Sequence, residues 1–316
     1  MSTRTRKLLM VLYRASWITF VVMIVVSFTV ELPLDWAWGF APAVAALVIG
    51  SVVTRSQRAA HSTATARTAV ECLAPVAGRW SALNSPADKV PSHGTHAYGQ
   101  SYAIDITAEP EEGTRPGFSL FWPLVRRPSA YPAFGAPLLA VADATVVHAS
   151  DGQRDHLSRS SLPMIFYLLL LEGAFRDMFG PSRIIGNTVV LDLGGGTYAL
   201  YAHVQRGSLM VRTGDRVSAG QPIARCGNSG NSTEPHVHFQ LMDGTDPDTA
   251  RGIPFRWTGV GVPANKQRFT VDPDDPYASV VEELDGAAGA DAAGGAERGD
   301  GEKSPGTGLS LTGDGR

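Results

Sequence analysis

Residues 236–241 read His-Val-His-Phe-Gln-Leu, a strict alternation of polar and apolar side chains. Successive side chains of a strand point to opposite faces, so Val237, Phe239 and Leu241 demand a core on one side while His236, His238 and Gln240 share the other. A helix would scatter both sets around its circumference. The run therefore commits the chain around it to a sheet, and it sets two imidazoles side by side on the polar face. A lone His-x-His recurs by chance, so its meaning depends on what the rest of the chain brings to it.

Two upstream segments bring candidates. In SYAIDITA, residues 101–108, Tyr102, Ile104 and Ile106 alternate with Ser101, Ala103, Asp105 and Thr107, which puts the Asp105 carboxylate on the less apolar face of a second strand. The polar loop PSHGTHAYGQ before it, residues 91–100, carries His93 and His96. The run GNTVVLDLGGGTYALYAHVQ, residues 186–205, reads as a β-hairpin turning at Gly194, Gly195 and Gly196, with His203 near its far end. A catalytic zinc site takes three protein ligands and keeps a further position for water. Asp105, His238 and one loop histidine would suffice.

In this order, YAIDI around Asp105, YAHV around His203, VRTGDRVSAGQPIARCGNSGNST at 211–233 and PHVHFQ resemble the lysostaphin-type (LytM-like) zinc metallopeptidases, peptidoglycan endopeptidases with a mainly β, antiparallel half-barrel fold. The resemblance covers roughly residues 75–260. It implies Zn2+ as cofactor, the peptides of peptidoglycan as substrate, His238 and Asp105 as metal ligands, and His236 and His203 as catalytic histidines that do not bind metal. This chain departs from the family pattern at one point: where a histidine stands four residues before the aspartate, it has Ser101. Loop reach favours His96 as the remaining ligand, with His93 as the alternative. The helical His-Glu-x-x-His pattern is absent and no carboxylate base is evident, which leaves His236 as the general base and His203 to stabilise the oxyanion or donate a proton. His61, His148 and His156 receive no chemistry.

The run GDRVSAGQPIA, residues 214–224, also resembles the half-barrels of lipoyl and biotinyl carriers. A carrier needs a lysine at its hairpin tip, and the turn at 227–232 has none. The chain of 316 residues is 44% hydrophobic, enough for one sizeable core, and its net charge of -3 with no basic stripe excludes a nucleic-acid partner. Two cysteines, Cys72 and Cys226, are too few for a disulfide framework or a thiolate zinc site.

Ahead of the domain, a basic N-terminus (1–14) precedes two apolar stretches, 15–30 and 37–53, joined by ELPLD and edged by Trp17, Trp36 and Trp38. They predict a transmembrane helical hairpin that anchors the chain in a lipid bilayer over residues 15–53. Orientation sets two arguments against each other. Arg4, Arg6, Lys7 and Arg14 before the hairpin, with Arg55 and Arg58 after it, put both ends in the cytoplasm by the positive-inside rule, whereas a wall hydrolase belongs outside.

Residues 54–74 read as a connector and 75–280 as the peptidase domain, with insertions at 109–137 and 154–183. The first is rich in proline and aromatic residues and either walls a substrate groove or packs over the core. The second holds one helix over 162–179, opened by Ser160, Ser161 and Pro163 and stopped by Gly180 and Pro181, that covers the barrel or rests on a membrane surface. The tail, 281–316, is low in complexity and reads as disordered. Two rival functions are a non-catalytic LytM-like regulator that binds wall hydrolases, which would lack the metal ligands, and a zinc peptidase acting on cytoplasmic peptides.

Overall fold

A computed structural model describes residues 1–30, 36–63, 67–110, 112–272, 274–275 and 279–282. The ELPLD linker and nearly all of the low-complexity tail lie outside the described residues.

The strands are β1 Val70–Cys72, β2 Gly78–Leu83, β3 Ile104–Ala108, β4 Pro137–Leu139, β5 Ala144–Ser150, β6 Thr188–Asp192, β7 Tyr198–Ala202, β8 Arg216–Val217, β9 Pro222–Arg225, β10 Val237–Met242, β11 Gly252–Ile253, β12 Phe255–Trp257, β13 Arg268–Val271 and β14 Val280–Val281. Ten of them form one antiparallel sheet in the order β14-β13-β2-β3-β10-β7-β6-β5-β8, with β11 added to β10. β4 pairs with β9, and β1 lies parallel to β12. The fold is thus mainly β and antiparallel. The glycine turn of the β6–β7 hairpin places Gly194, Gly195 and Gly196 all at positive φ, which a side chain would resist. β1 begins inside the segment read as a connector, because Val70–Cys72 add a strand beside Phe255–Trp257.

The core explains why β10 sits where it does. Phe239 is fully buried and packs edge-on against Tyr201 and Phe255, with ring centroids 5.5 and 5.1 Å away, and Trp257 links this cluster to Phe269 at 5.7 Å. Burying side chains of this size stabilises by about 2–3 kcal/mol each, and register is the condition for it: a slip of one residue would bring the histidines into the aromatic core. The opposite face is covered too. Val190, Leu200, Ala202 and Met242 form a smaller apolar cluster there with Ala250, and every residue of β10 is buried.

The insertion at 154–183 adds to this cover, with Leu168, Leu169 and Gly173 lining the same groove as the histidines. Leu162–Tyr167 (α4) runs through a π-helical turn, Leu168–Glu172, into Gly173–Met178 (α5). Pro163 stands in the first turn and Ser161 at the N-cap, although the Ser161 hydroxyl donates to the Leu124 carbonyl instead of capping the helix. Gly180, at φ 102, ends the helix, and a further short helix, Pro181–Ile185 (α6), follows at once. Among the described residues, the 109–137 insertion forms a short 3-10 turn at Pro128–Ala130 ahead of β4 and is laced to the start of α4 through Ser119.

The N-terminal hairpin consists of Thr3–Ser27 (α1), a single turn Trp36–Gly39 (α2) and Ala41–Thr63 (α3). α1 and α3 pack side by side, with Gly50 giving room for the Tyr13 ring. Both are long and apolar enough to cross a membrane. The terminal half of α1 is tied to the domain: Arg14 makes a bidentate ion pair with Asp248, both contacts 2.6 Å, Lys7 pairs with Asp246, and the Arg6 guanidinium donates to the Thr249 carbonyl. Cys72 and Cys226 are buried free thiols, and burial raises the Cys72 thiol to about 12.

Candidate metal centre and catalytic site

Strand pairing brings the two strongest candidates together. His238 on β10 stands directly opposite Asp105 on β3 and, on its other side, opposite Ala202, the last residue of β7, so that His203 follows at the same end of the sheet. His238 Nδ1 lies 2.9 Å from Asp105 Oδ1. Asp105 Oδ2 receives a hydrogen bond from Asn84 at 2.8 Å and meets His93 Nε2 at 3.0 Å. One nitrogen or oxygen from each of His93, Asp105 and His238 lies within 4.8 Å of the other two.

His93, and not His96, therefore completes the cluster. His96 turns away: its Nδ1 bonds the Ser101 hydroxyl at 2.9 Å and its ring stacks on His61 at the end of α3, 4.4 Å between centroids. Distance along the chain misleads here because Ala97–Tyr102 coils into kinked 3-10 turns, with Tyr98 and Gly99 at positive φ, while the Ser92 N–H bonds the Ser101 carbonyl at 3.1 Å. That bond closes the excursion on itself. It brings residue 93 beside Ser101, where the resemblance expects a histidine.

The remaining two histidines line the same groove. His203 and His236 stack with centroids 4.9 Å apart, and His236 Nε2 lies 3.5 Å from Asp105 Oδ1. His203 holds φ 58, unusual for a residue with a β-carbon. Its own N–H on the Ile185 carbonyl and its carbonyl under the Gly227 N–H hold it there. The groove, about 420 Å³, is lined by these five residues together with Asn84, Leu168, Leu169, Gly173 and Asn231. Among the described residues, none of 109–137 lines it. A larger cavity of about 610 Å³ lies between hairpin and domain, lined by Met10, Trp17, Leu47 and Arg58 among others, and no histidine of the cluster reaches it.

Each imidazole is fixed by an outward hydrogen bond, and the partners decide the tautomers. His203 Nδ1–H donates to the Ser229 carbonyl at 2.8 Å, and His236 Nδ1–H to the Glu234 carbonyl at 2.7 Å, since a carbonyl can only accept. The Gln240 amide nitrogen donates to the Tyr98 carbonyl, which leaves Gln240 Oε1 to accept from His238 Nε2–H at 3.0 Å. The Ser92 hydroxyl lies 3.0 Å from His93 Nδ1 and 3.4 Å from the Gln100 carbonyl, and when it donates to that carbonyl it accepts from His93 Nδ1–H. All four rings thus turn a bare nitrogen inward, three of them onto the Asp105 carboxylate. Lone pairs facing carboxylate oxygens at about 3 Å repel unless a cation or protons lie between them. A divalent ion satisfies this donor set, two imidazoles and a carboxylate, in the way zinc is held elsewhere.

The electrostatics separate the members. Where protons rather than a cation lie between them, burial works to raise Asp105, but the protonated imidazoles of His93 and His236 and hydrogen bonds from His236 and His238 outweigh it and hold the carboxyl well below its ordinary range. Burial, reinforced by His236 and His238, pushes His203 well below an ordinary histidine. His236 goes the other way: burial lowers it, yet Asp105 and the Glu234 carbonyl leave it more basic than usual. Sequence reasoning missed Asn84, which follows β2 and is placed only by the Leu83–Asp105 pairing, and the carbonyls of Ser229 and Glu234, which no side-chain motif reports. Glu234 carries a carboxyl raised by burial and paired at 3.7 Å with Arg115.

Residues 175–249, which include His203, His236 and His238, match Peptidase family M23. A 57-residue stretch is 39% identical to the peptidoglycan DD-endopeptidase ShyA of Vibrio cholerae, covering 18% of this chain and 13% of that protein. Among solved structures, the lysostaphin catalytic domain from Staphylococcus simulans aligns at 22% identity over 44% of this chain and 86% of its own, TM-score 0.25. The M23 metalloprotease pseudoalterin aligns at 14% over 60% and 76%, TM-score 0.32. Neither superposition is close enough to carry a role from one residue to another. The sequence match, with these three histidines inside it, assigns residues 175–249 to Peptidase family M23.

Proposed function

We propose that the protein is a membrane-anchored zinc metalloendopeptidase acting on the peptide cross-links of peptidoglycan. The observation that carries the reading is the inward convergence of bare imidazole nitrogens from His93 and His238 on Asp105, beside two further histidines that face the same groove. His93, Asp105 and His238 would hold the ion. When bound, zinc supplies a Lewis acid for the scissile carbonyl and makes water ionise near neutral pH.

The chain's own residues supply the proton traffic. His236, the more basic of the free pair, takes the proton of the attacking water at Nε2 and returns it to the leaving amine nitrogen. His203 is held neutral with its proton on Nδ1, so its inward nitrogen accepts a hydrogen bond and orients the water. That replaces the expected oxyanion role, which would need a proton on the inward nitrogen. Leu168 and Leu169 form an apolar wall that limits water around the reacting groups.

The hairpin is read as the bilayer anchor, with the domain on the outer side, where the substrate is. The N-terminal cations that argue for the inner side have a second use: Arg6, Lys7 and Arg14 all bind the domain. A reporter fused after residue 70 checks the side.

The test of function is release of new amino termini from purified cell wall by the full chain in detergent, abolished by a chelator and restored by zinc. Turnover of soluble peptides with an inert wall would favour the cytoplasmic-peptide reading. Zinc binding without any cleavage would favour a regulator.

A further inference from the structure

The outer face of α4–α5 is apolar and has no protein cover among the described residues. Phe166, Leu170, Phe175 and Phe179 are each more than half exposed, and the neighbouring loop adds Phe121 and Trp122, the latter 81% exposed. Loop and helix form one surface: the Ser119 N–H bonds the Ser160 carbonyl, the Leu162 N–H bonds the Ser119 carbonyl, and the Ser161 hydroxyl reaches the Leu124 carbonyl. A contiguous patch of this kind marks a contact surface.

The hairpin says what covers it. The exposed side of α1 is apolar from Leu8, 59% exposed, to Phe28, 83% exposed. The helix rise between them is about 30 Å, equal to a bilayer hydrocarbon core of about 30 Å. Arg14 lies about 9 Å along α1 from Leu8, on the side that meets the domain. There it pairs with Asp248 and donates to the Asp177 carbonyl of α5, and α1 packs on α5. Lipid that covers α1 as far as Leu8 reaches the level of Arg14, and therefore of α5, on the flank where the domain is docked.

We infer that the apolar face of α4–α5, with the loop around Phe121 and Trp122, is seated in the interfacial layer of the leaflet from which α1 emerges. The groove wall formed by Leu168 and Leu169 belongs to the same helical segment, so the reacting groups open beside the bilayer surface. The partner is lipid: a helix presenting an apolar face at this level buries it about 5–10 Å into the headgroup and acyl boundary. The inference rests on the hairpin being the membrane anchor.

The experiment places nitroxide labels, one at a time, in the full chain reconstituted in vesicles of phosphatidylethanolamine and phosphatidylglycerol. The variants are Trp122→Cys, Leu170→Cys and Phe175→Cys, with Val25→Cys in the hairpin and Met210→Cys, exposed outside this face, as references. The native thiols are buried and unreactive. Collision with oxygen relative to an aqueous nickel chelate should be several-fold higher at 122, 170 and 175 than at 210, approaching the value at 25. If those three match 210 while 25 remains in lipid, the inference fails and the anchor stands. If 25 also matches 210, the anchor fails and takes the inference with it. Labels at 122, 170 and 175 shielded from both colliders would mean that protein covers the face, which also overturns it.

Discussion

His238 shows how much of the site is decided one hydrogen bond away from it. Gln240 accepts from Nε2–H and thereby clears Nδ1 for a cation, and the Tyr98 carbonyl fixes which way the Gln240 amide points. Replacing Gln240 with Leu should leave the fold intact but weaken zinc affinity by about 10–100-fold, measurable by competition with a chromophoric chelator. His236→Ala should lower kcat by at least about a hundredfold, the scale of a lost general base, while the zinc content stays near that of the parent. Equal zinc loss in the two variants would merge the roles separated here.

The elements were legible to different degrees, for physical reasons. Alternation in VHFQLM and around Asp105 reports a strand directly, because packing of one side chain against the core and placement of the next on the other face are the same constraint. Asp105 and His238 are joined in the sequence only by the resemblance, and the pairing of β3 with β10 that brings them together is not reported by periodicity. Reach along the chain favours His96 over His93, whereas positive φ at Tyr98 and Gly99 coils that segment and the Ser92–Ser101 bond closes it. The cover over the histidine face is half legible: the sequence shows an apolar helix that covers the barrel or rests on a membrane surface, and nothing in it says which face of the sheet is covered. One glycine locks that cover to the site. A β-carbon on Gly230, at φ 71, would lie 2.5 Å from the Gly186 nitrogen and 2.6 Å from the Ile184 carbonyl. Gly230→Ala should destabilise the domain by more than about 2 kcal/mol, seen as a lower midpoint in denaturant, and should cost activity by displacing the Ser229 carbonyl that holds His203.

Across the whole molecule, hairpin and domain are joined by charge. Arg14 and Asp248 are nearly buried, 12% and 10% exposed as side chains, so removing one partner strands the other. Arg14→Ala should therefore cost about 3 kcal/mol, read from unfolding in detergent, and the double variant Arg14→Met with Asp248→Leu should recover most of it. Full recovery would assign the pair to register between hairpin and domain more than to stability. The composition of the segment after residue 282 offers almost nothing to bury, and its deletion should leave zinc content and turnover unchanged.

The make-up of the metal centre depends on which histidine joins Asp105 and His238. Metal analysis of the purified full chain by mass spectrometry, for the parent, His93→Ala and His96→Ala, puts that to the test. One zinc per chain in the parent and in His96→Ala, with loss in His93→Ala, is the predicted result. Zinc retained in His93→Ala and lost in His96→Ala would contradict it.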